Sequence, residues 1–188
     1  TSTDIGKKLQ NALHAIEKAN FELLHDVFGD AQWTNKRRLS DEKLIDLIEH
    51  FSQMNLTVKD VPHDLMGDGY EYLINKFADD AGHTAAEFYT NRTVVELMTR
   101  ITNVQPGESV YDPTCGSGGI LLNSALYLKK QGKEYRNLKL YGQELNLITS
   151  AIARMNMFMH AIDEFLIVQG DTLDNPQILE NDELKQFD

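Results

Sequence analysis

A single cysteine in 188 residues leaves no partner for an internal disulfide. That scarcity suits a reducing, cytosolic setting. No stretch approaches the roughly 20 apolar residues of a membrane-spanning helix. The first residues, "TSTDIGKKLQNALHAIEKAN", are amphipathic rather than continuously apolar, so they do not read as a signal peptide. Positive charge is scarce as well: 18 Lys and Arg stand against 29 Asp and Glu, a net charge of -11. The deficit is shared. Residues 1–80 carry 9 basic against 15 acidic side chains, and residues 81–188 carry 9 against 14. By bulk charge neither half is a surface for nucleic-acid phosphates. The one basic cluster, Lys36-Arg37-Arg38, reads as a solvated turn before a helix. If the protein acts on nucleic acid, a partner or a further segment must supply much of the grip. The histidines at 14, 25, 50, 63, 83 and 160 show no HExxH spacing, and CxxC is impossible, so no metal site is expected.

What is present is ordinary for a globular protein, with 41 % hydrophobic and 25 % charged residues. Residues 1–82 read as an α-helical N-terminal domain. Ile5, Leu9, Ala12, Leu13 and Ile16 recur at helical spacing. Ser40 is a good N-cap, with Asp41 and Glu42 placed to favour the positive helix end. Leu44, Ile45, Leu47, Ile48 and Phe51 follow it as an apolar stripe. A break is expected at Gly67-Asp68-Gly69. The helix then resumes with Tyr70, Leu73, Ile74 and Phe77. Nothing in this half suggests chemistry; it reads as a packing or partner-binding module.

From residue 83 the pattern changes. Thr90 is a plausible N-cap for a helix whose stripe is Val94, Leu97, Met98 and Ile101. Then come a strand at 108–112, a glycine turn, a helix "GILLNSALYLKKQ", a strand at 138–144, a helix striped by Ile148, Ile152, Met155 and Met159, and a strand at 164–171. Strand–helix–strand–helix–strand implies a parallel sheet with right-handed crossovers. Ligands of such sheets bind at the carboxyl ends of the strands.

Each strand ends in an acid: Asp112, Glu144 and Asp171. Singly, each reads equally well as a cap or turn residue; at three successive strand ends they point to one crevice. The turn "YDPTCGSGG" lets a ligand approach the backbone, and a later acid after such a turn suits ribose hydroxyls. Gly116-Ser117-Gly118-Gly119 breaks the dinucleotide spacing, and Asp112 would repel a diphosphate. No Gly-Lys-Ser/Thr follows, which excludes a Walker loop. An ammonium-bearing, phosphate-free nucleoside fits better. In S-adenosylmethionine, Asp112 would face the ammonium, Glu144 the ribose and Asp171 the adenine amino group.

The stretches "AGHTAAEFYTNRTVVELM", "YDPTCGSGGIL" and "YGQELN" resemble the modification subunits of type I restriction-modification systems, S-adenosylmethionine-dependent DNA adenine methyltransferases. The likeness is strong over residues 83–188 and looser before them. It implies that residues 83–188 are the first half of an α/β, Rossmann-like methyltransferase domain, a parallel sheet truncated before its fourth strand. It implies that Glu87, Phe88, Tyr89, Thr90, Asn91 and Arg92 lie along the methionine end of the cofactor, with Thr90 and Arg92 meeting the carboxylate. Ser117, Gly118 and Gly119 would line methionine and ribose. The family usually has proline where Asn91 stands, so a looser helix start is expected. Implied partners are a specificity subunit, a restriction subunit, a second modification subunit, and double-stranded DNA reached through the complex; no membrane is implied. Cys115 lies inside the cofactor turn, unlike the cysteine nucleophile of cytosine methyltransferases, and reads as a small packing residue.

The family's catalytic motif, Asn/Asp-Pro-Pro-Phe/Tyr after the fourth strand, is missing. Asp174-Asn175-Pro176-Gln177 approximates it with one proline and no aromatic, and reads as a turn. Phe187-Asp188 resembles the start of the fourth strand. No catalytic residue is therefore assigned, and the 188-residue chain is expected to be inactive alone. Two other readings stay open: an assembly module with a vestigial cofactor fold, and a methyltransferase acting on protein or RNA.

Overall fold

The computed structural model describes residues 4–29, 31–57, 59–81 and 90–188. The chain forms two compact units, residues 1–62 and 63–188.

The first unit holds α1 (Ile5–Ala19), α2 (Phe21–Leu24) and α3 (Asp41–Ser52). As the sequence leads one to expect, Ser40 caps α3; its Oγ accepts from the Lys43 N–H at 3.4 Å. Lys36, Arg37 and Arg38 form the exposed turn before it, with Lys36 paired to Asp41 at 2.9 Å. Gly6 lets α1 lie against the Trp33 carbonyl, since a Cβ there would sit 2.0 Å from that oxygen. Leu24 and Leu44 are buried, while Ile45, Leu47, Ile48 and Phe51 of the expected stripe are exposed.

The second unit begins with α4 (His63–Ala81), followed by α5 (Arg92–Thr102), β1 (Ser109–Asp112), α6 (Gly119–Lys130), β2 (Lys139–Glu144), α7 (Leu147–Met159) and β3 (Phe165–Gln169). A small antiparallel pair closes the order, β4 (Leu179–Glu180) with β5 (Glu183–Leu184). The unit boundary falls at 62/63 rather than at 82/83 because α4 packs on α7. The expected break at Gly67–Gly69 does not occur: α4 runs through both glycines. The reason is tertiary. A Cβ on Gly67 would lie 2.5 Å from the His160 ring, so this glycine is where α4 touches the end of α7, and packing outweighs its cost of about 1 kcal/mol in helix propensity.

Three parallel strands form a sheet of order β1-β2-β3, as the alternating pattern predicts. α6 and α7 cover the face bearing Leu140 and Gly142, enclosing Leu121, Leu122, Leu128, Met157 and Ile167. On the other face the register partners Tyr111 and Tyr141 carry Phe187, stacked on Tyr111 at 4.6 Å between centroids. Asp188 accepts from the Ser109 N–H at 2.9 Å on the strand that flanks β2.

Two expected stripes are not the buried ones. α5 buries Val95 and Thr99, and leaves Val94, Leu97, Met98 and Ile101 largely exposed. Thr99 can face inward because its Oγ donates to the Val95 carbonyl at 2.9 Å, satisfying its polar group within the helix. α7 leaves Ile148 exposed and buries Ser150, Ala153, Arg154, Asn156 and Met157. Small side chains on that face admit the glycine turn, and the polar ones bond to it and to the sheet. Among the described residues no helix is long and apolar enough to cross a membrane.

Candidate functional site

β1 delivers Asp112 to its carboxyl end, where the chain turns through Pro113–Gly118 into α6. Gly116 (φ +53°) and Gly118 (φ +79°) both occupy the left-handed region that favours glycine. At Gly118 close approach matters as much: a Cβ would meet Met157 Cε at 2.7 Å. The turn is held from every side. The Cys115 N–H donates to the Gln143 carbonyl at 3.0 Å, and Asn156 Nδ2 donates to the Ser117 carbonyl at 3.1 Å. Cys115 itself belongs to the core, with its Sγ close against Gly142. Burial pushes its thiol far up, so it stays protonated and acts as packing.

The sheet register staggers the acids. Asp112 pairs with Gly142, so Glu144 projects two residues further, and Glu144 pairs with Gln169, two residues before Asp171. Asp112 is buried, and its Oδ1 accepts from the Thr114 N–H at 3.1 Å. Burial raises its pKa, the Thr114 bond opposes this, and the nearby Glu144 charge adds to it. Glu144 spans turn and helix: Oε2 accepts from the Gly116 N–H at 3.0 Å, and Oε1 from the Asn146 N–H at 2.8 Å. A carboxylate has about four acceptor positions, so two stay available. Asp171 is exposed, and its Oδ1 accepts from the Leu173 N–H at 2.9 Å, closing its own turn. Thr172 donates its hydroxyl to the Pro113 carbonyl, which ties this turn to the glycine turn.

A cleft of about 250 Å³ opens beside these groups. Its floor is Asp112, Thr114, Cys115, Gly116 and Ser117; its walls are Gly119, Ile120 and Asn123 of α6, Asn156 of α7, and Val95 and Met98 of α5. Thr90 and Arg92 line it as well. Of the residues expected from the sequence, Thr90, Arg92, Asp112, Ser117 and Gly119 line it; Asn91, Gly118, Glu144 and Asp171 do not. Glu87, Phe88 and Tyr89 lie outside the described residues. Asn91 does not loosen the helix start. It is the N-cap of α5, taking the place expected for Thr90, and its Oδ1 accepts from the Thr93 N–H at 2.9 Å.

Sequence reasoning missed one wall. α4 contributes Glu71 and Ile74, and Glu71 holds Arg92 by an ion pair of 2.8 Å. Missed too was Gln143, fully buried in β2. Its side chain donates to the Asn175 carbonyl at 2.9 Å and accepts from the Gln177 N–H at 3.0 Å. The turn expected at Asp174–Gln177 thus lies slightly earlier, at residues 172–174, and the following segment is stapled along β2.

The family model described as N-6 DNA Methylase matches residues 61–188. The MjaVII type I restriction enzyme methylase subunit of Methanocaldococcus jannaschii is 32 % identical over 180 residues, covering 91 % of this chain and 30 % of the relative. The MpnII methylase subunit of Mycoplasma pneumoniae is 40 % identical over 138 residues, covering 70 % of this chain and 25 % of the relative. Among solved structures, a type I restriction-modification methyltransferase subunit from Streptococcus thermophilus superposes with a TM-score of 0.79 at 29 % identity, over 94 % of this chain and 38 % of that one. The chain therefore spans well under half the length of these relatives, with a fold that is the first part of a Rossmann-like methyltransferase domain preceded by helices.

Proposed function

Since the chain belongs to the N-6 DNA methylase family, we propose that it is the cofactor-holding part of a type I modification subunit, an S-adenosylmethionine-dependent DNA adenine-N6 methyltransferase. The observation that carries this reading is a buried carboxylate at a strand end, Asp112, beside a glycine turn whose backbone N–H is bound by Glu144. A buried acid with a raised pKa favours a cationic ligand group over a phosphate.

When bound, S-adenosylmethionine supplies a methyl group activated by its sulfonium. Asp112 would meet the ammonium, whose positive charge favours the ionised carboxylate and opposes the rise in its pKa that burial causes. Arg92 and Thr90, which line the cleft, would meet the carboxylate, with Asn91 fixing the helix start; Glu87, Phe88 and Tyr89 are proposed for the methionine end from the family resemblance alone. Ser117, Gly118 and Gly119 present backbone to methionine and ribose. Glu144 offers its two remaining acceptor positions to the ribose hydroxyls, and Asp171 offers Oδ2 to the adenine amino group. At about 250 Å³ the cleft is smaller than the roughly 300–1,000 Å³ of ordinary ligand sites, so it would take the methionine end alone and leave the nucleoside to Glu144 and Asp171, which do not line it.

The sequence holds no Asn/Asp-Pro-Pro-aromatic motif. Target adenine, flipped from the duplex, therefore finds no acceptor pair here, and the 188-residue polypeptide does not methylate DNA by itself. Residues 1–62 serve as the helical domain and 63–188, α4 included, as the partial cofactor domain, with specificity and restriction subunits and a second modification subunit supplying the DNA grip that an acidic chain lacks. Calorimetric titration with S-adenosylmethionine tests the binding claim, with saturable heat expected. A radiolabelled methyl assay on DNA tests the other; sustained turnover by this chain alone would refute it.

A further inference from the structure

Where α4 crosses the end of α7, Gly67 presses the helix backbone against the imidazole of His160. His160 is 4 % exposed. Its Nδ1 lies 3.0 Å from the Asn156 carbonyl oxygen. A carbonyl only accepts, so Nδ1 carries the proton, and the lone pair of the neutral ring sits on Nε2. Nε2 is buried and has no hydrogen-bond partner among the described residues. Facing it are Asp68 and Glu71, one turn apart on a single face of α4. One carboxylate oxygen of each and a ring nitrogen of His160 all lie within 4.8 Å of one another.

We propose that Asp68, Glu71 and His160 bind a divalent first-row transition ion of the Zn²⁺ class, which pins α4 to α7. Three features support this donor set. An imidazole with two carboxylates suits zinc-like ions, whereas magnesium and calcium favour oxygen alone. Two carboxylates balance the charge of the ion. The Nδ1–H bond to a backbone carbonyl is the usual outer support of a ligating histidine, fixing its tautomer and aim. Bonds of about 2.0–2.1 Å place tetrahedral ligands roughly 3.3 Å apart, so the three atoms must close modestly; Asp68, being exposed, has room to turn inward. A remaining coordination position falls to water. Arg92 competes, because it holds Glu71 Oε2 at 2.8 Å, and Lys129 and Lys130 line the same cleft. The site is therefore of moderate affinity. Local spacing could not reveal it, since the carboxylates and the imidazole come from helices far apart in the chain.

The test is titration of the intact 188-residue chain with Zn²⁺ by calorimetry and with Co²⁺ by visible absorption. One equivalent should bind, with a rise in Tm and a Co²⁺ spectrum of mixed nitrogen and oxygen ligation. D68N, at an exposed position, should fold normally and bind at least about tenfold more weakly, and E71Q should behave alike. His160→Gln should abolish the nitrogen signature. Failure of the wild-type chain to take up a stoichiometric ion overturns the proposal. So does undiminished uptake in both D68N and E71Q, which would assign the ion to surface histidines.

Discussion

In the first unit Gly6, Leu24 and Leu44 are the buried residues among those described, and Leu9, Leu13, Phe28, Trp33, Leu47, Ile48 and Phe51 line an open apolar groove of about 490 Å³. In the second unit Leu121, Leu122, Ala125, Leu128, Leu140 and Ile167 are all within 1 % of complete burial. α1 and α3 confine their apolar residues to one stripe, whereas α6 and α7 are apolar more nearly all round, as helices buried in a core are. The sheet is what covers them. Parallel strands draw α6 and α7 down onto a common face, whereas short helices joined by turns share no such platform. A stripe marks which face of a helix is apolar and leaves open whether anything lies on it.

The largest effects should fall on opposite sides of that divide. Leu121→Ala should cost about 2–5 kcal/mol, read as a fall in urea midpoint. Phe51→Ala, on the open face of the first unit, should stay within about 0.5 kcal/mol. Equal losses would mean that the face at Phe51 is covered in solution, and the contrast between the units would collapse.

Next comes Glu144→Ala. It removes an acceptor bound to the Gly116 and Asn146 N–H groups and, on the proposed function, the ribose contacts. With charged hydrogen bonds worth about 1.5–3 kcal/mol each, affinity for S-adenosylmethionine should fall at least tenfold. Unchanged binding would favour the assembly-module reading, in which the turn serves folding alone.

The two glycines of α4 offer a finer contrast within one helix. Gly69→Ala meets nothing within 4 Å, and should stabilise by about 0.4–1 kcal/mol through lost unfolded-chain entropy. Gly67→Ala drives a methyl into the His160 ring and should cost about 1–3 kcal/mol as overpacking. Thermal melts that move in the same direction would break the claim that Gly67 sets the approach of α4 to α7.

These glycines also show how legibility divided. The strands, the turn and the place of Asp112, Glu144 and Asp171 near the strand ends follow from local alternation and are readable; their stagger, which leaves Asp112 alone of the three in the cleft, depends on the sheet register and is not. Glu71 and Ile74 reach the cleft only because α4 folds back on α7, a non-local event with no local signature. Glycines inside a helical pattern look like breakers until the partner that needs their missing Cβ is known. The buried face of α7 escaped because it is polar: Asn156 is inside to hold the Ser117 carbonyl, and a search for apolar stripes passes over it. Asn91 was misjudged by comparison with proline, although its side chain caps the helix directly.

The smallest effect separates function from stability inside the second unit. Asp112 has a raised pKa, chiefly from burial. In the window between the ordinary carboxylate value and that raised value, the folded chain holds a proton that the unfolded chain has released. Stability therefore falls as pH rises through the window, and above it the ionised buried carboxylate remains a net cost. Asp112→Asn keeps an oxygen for the Thr114 N–H and removes the charge. At neutral pH it should raise Tm slightly, and the gain should vanish as pH falls below the window. Cofactor affinity should move the other way, since an ammonium prefers the ionised acid: the wild-type chain should bind S-adenosylmethionine more tightly as pH rises through the window, and Asp112→Asn should lose both the affinity and its pH dependence. A variant that is more stable yet binds normally would leave Asp112 a buried cost with no ligand to explain it, and would move the ammonium site elsewhere in the cleft.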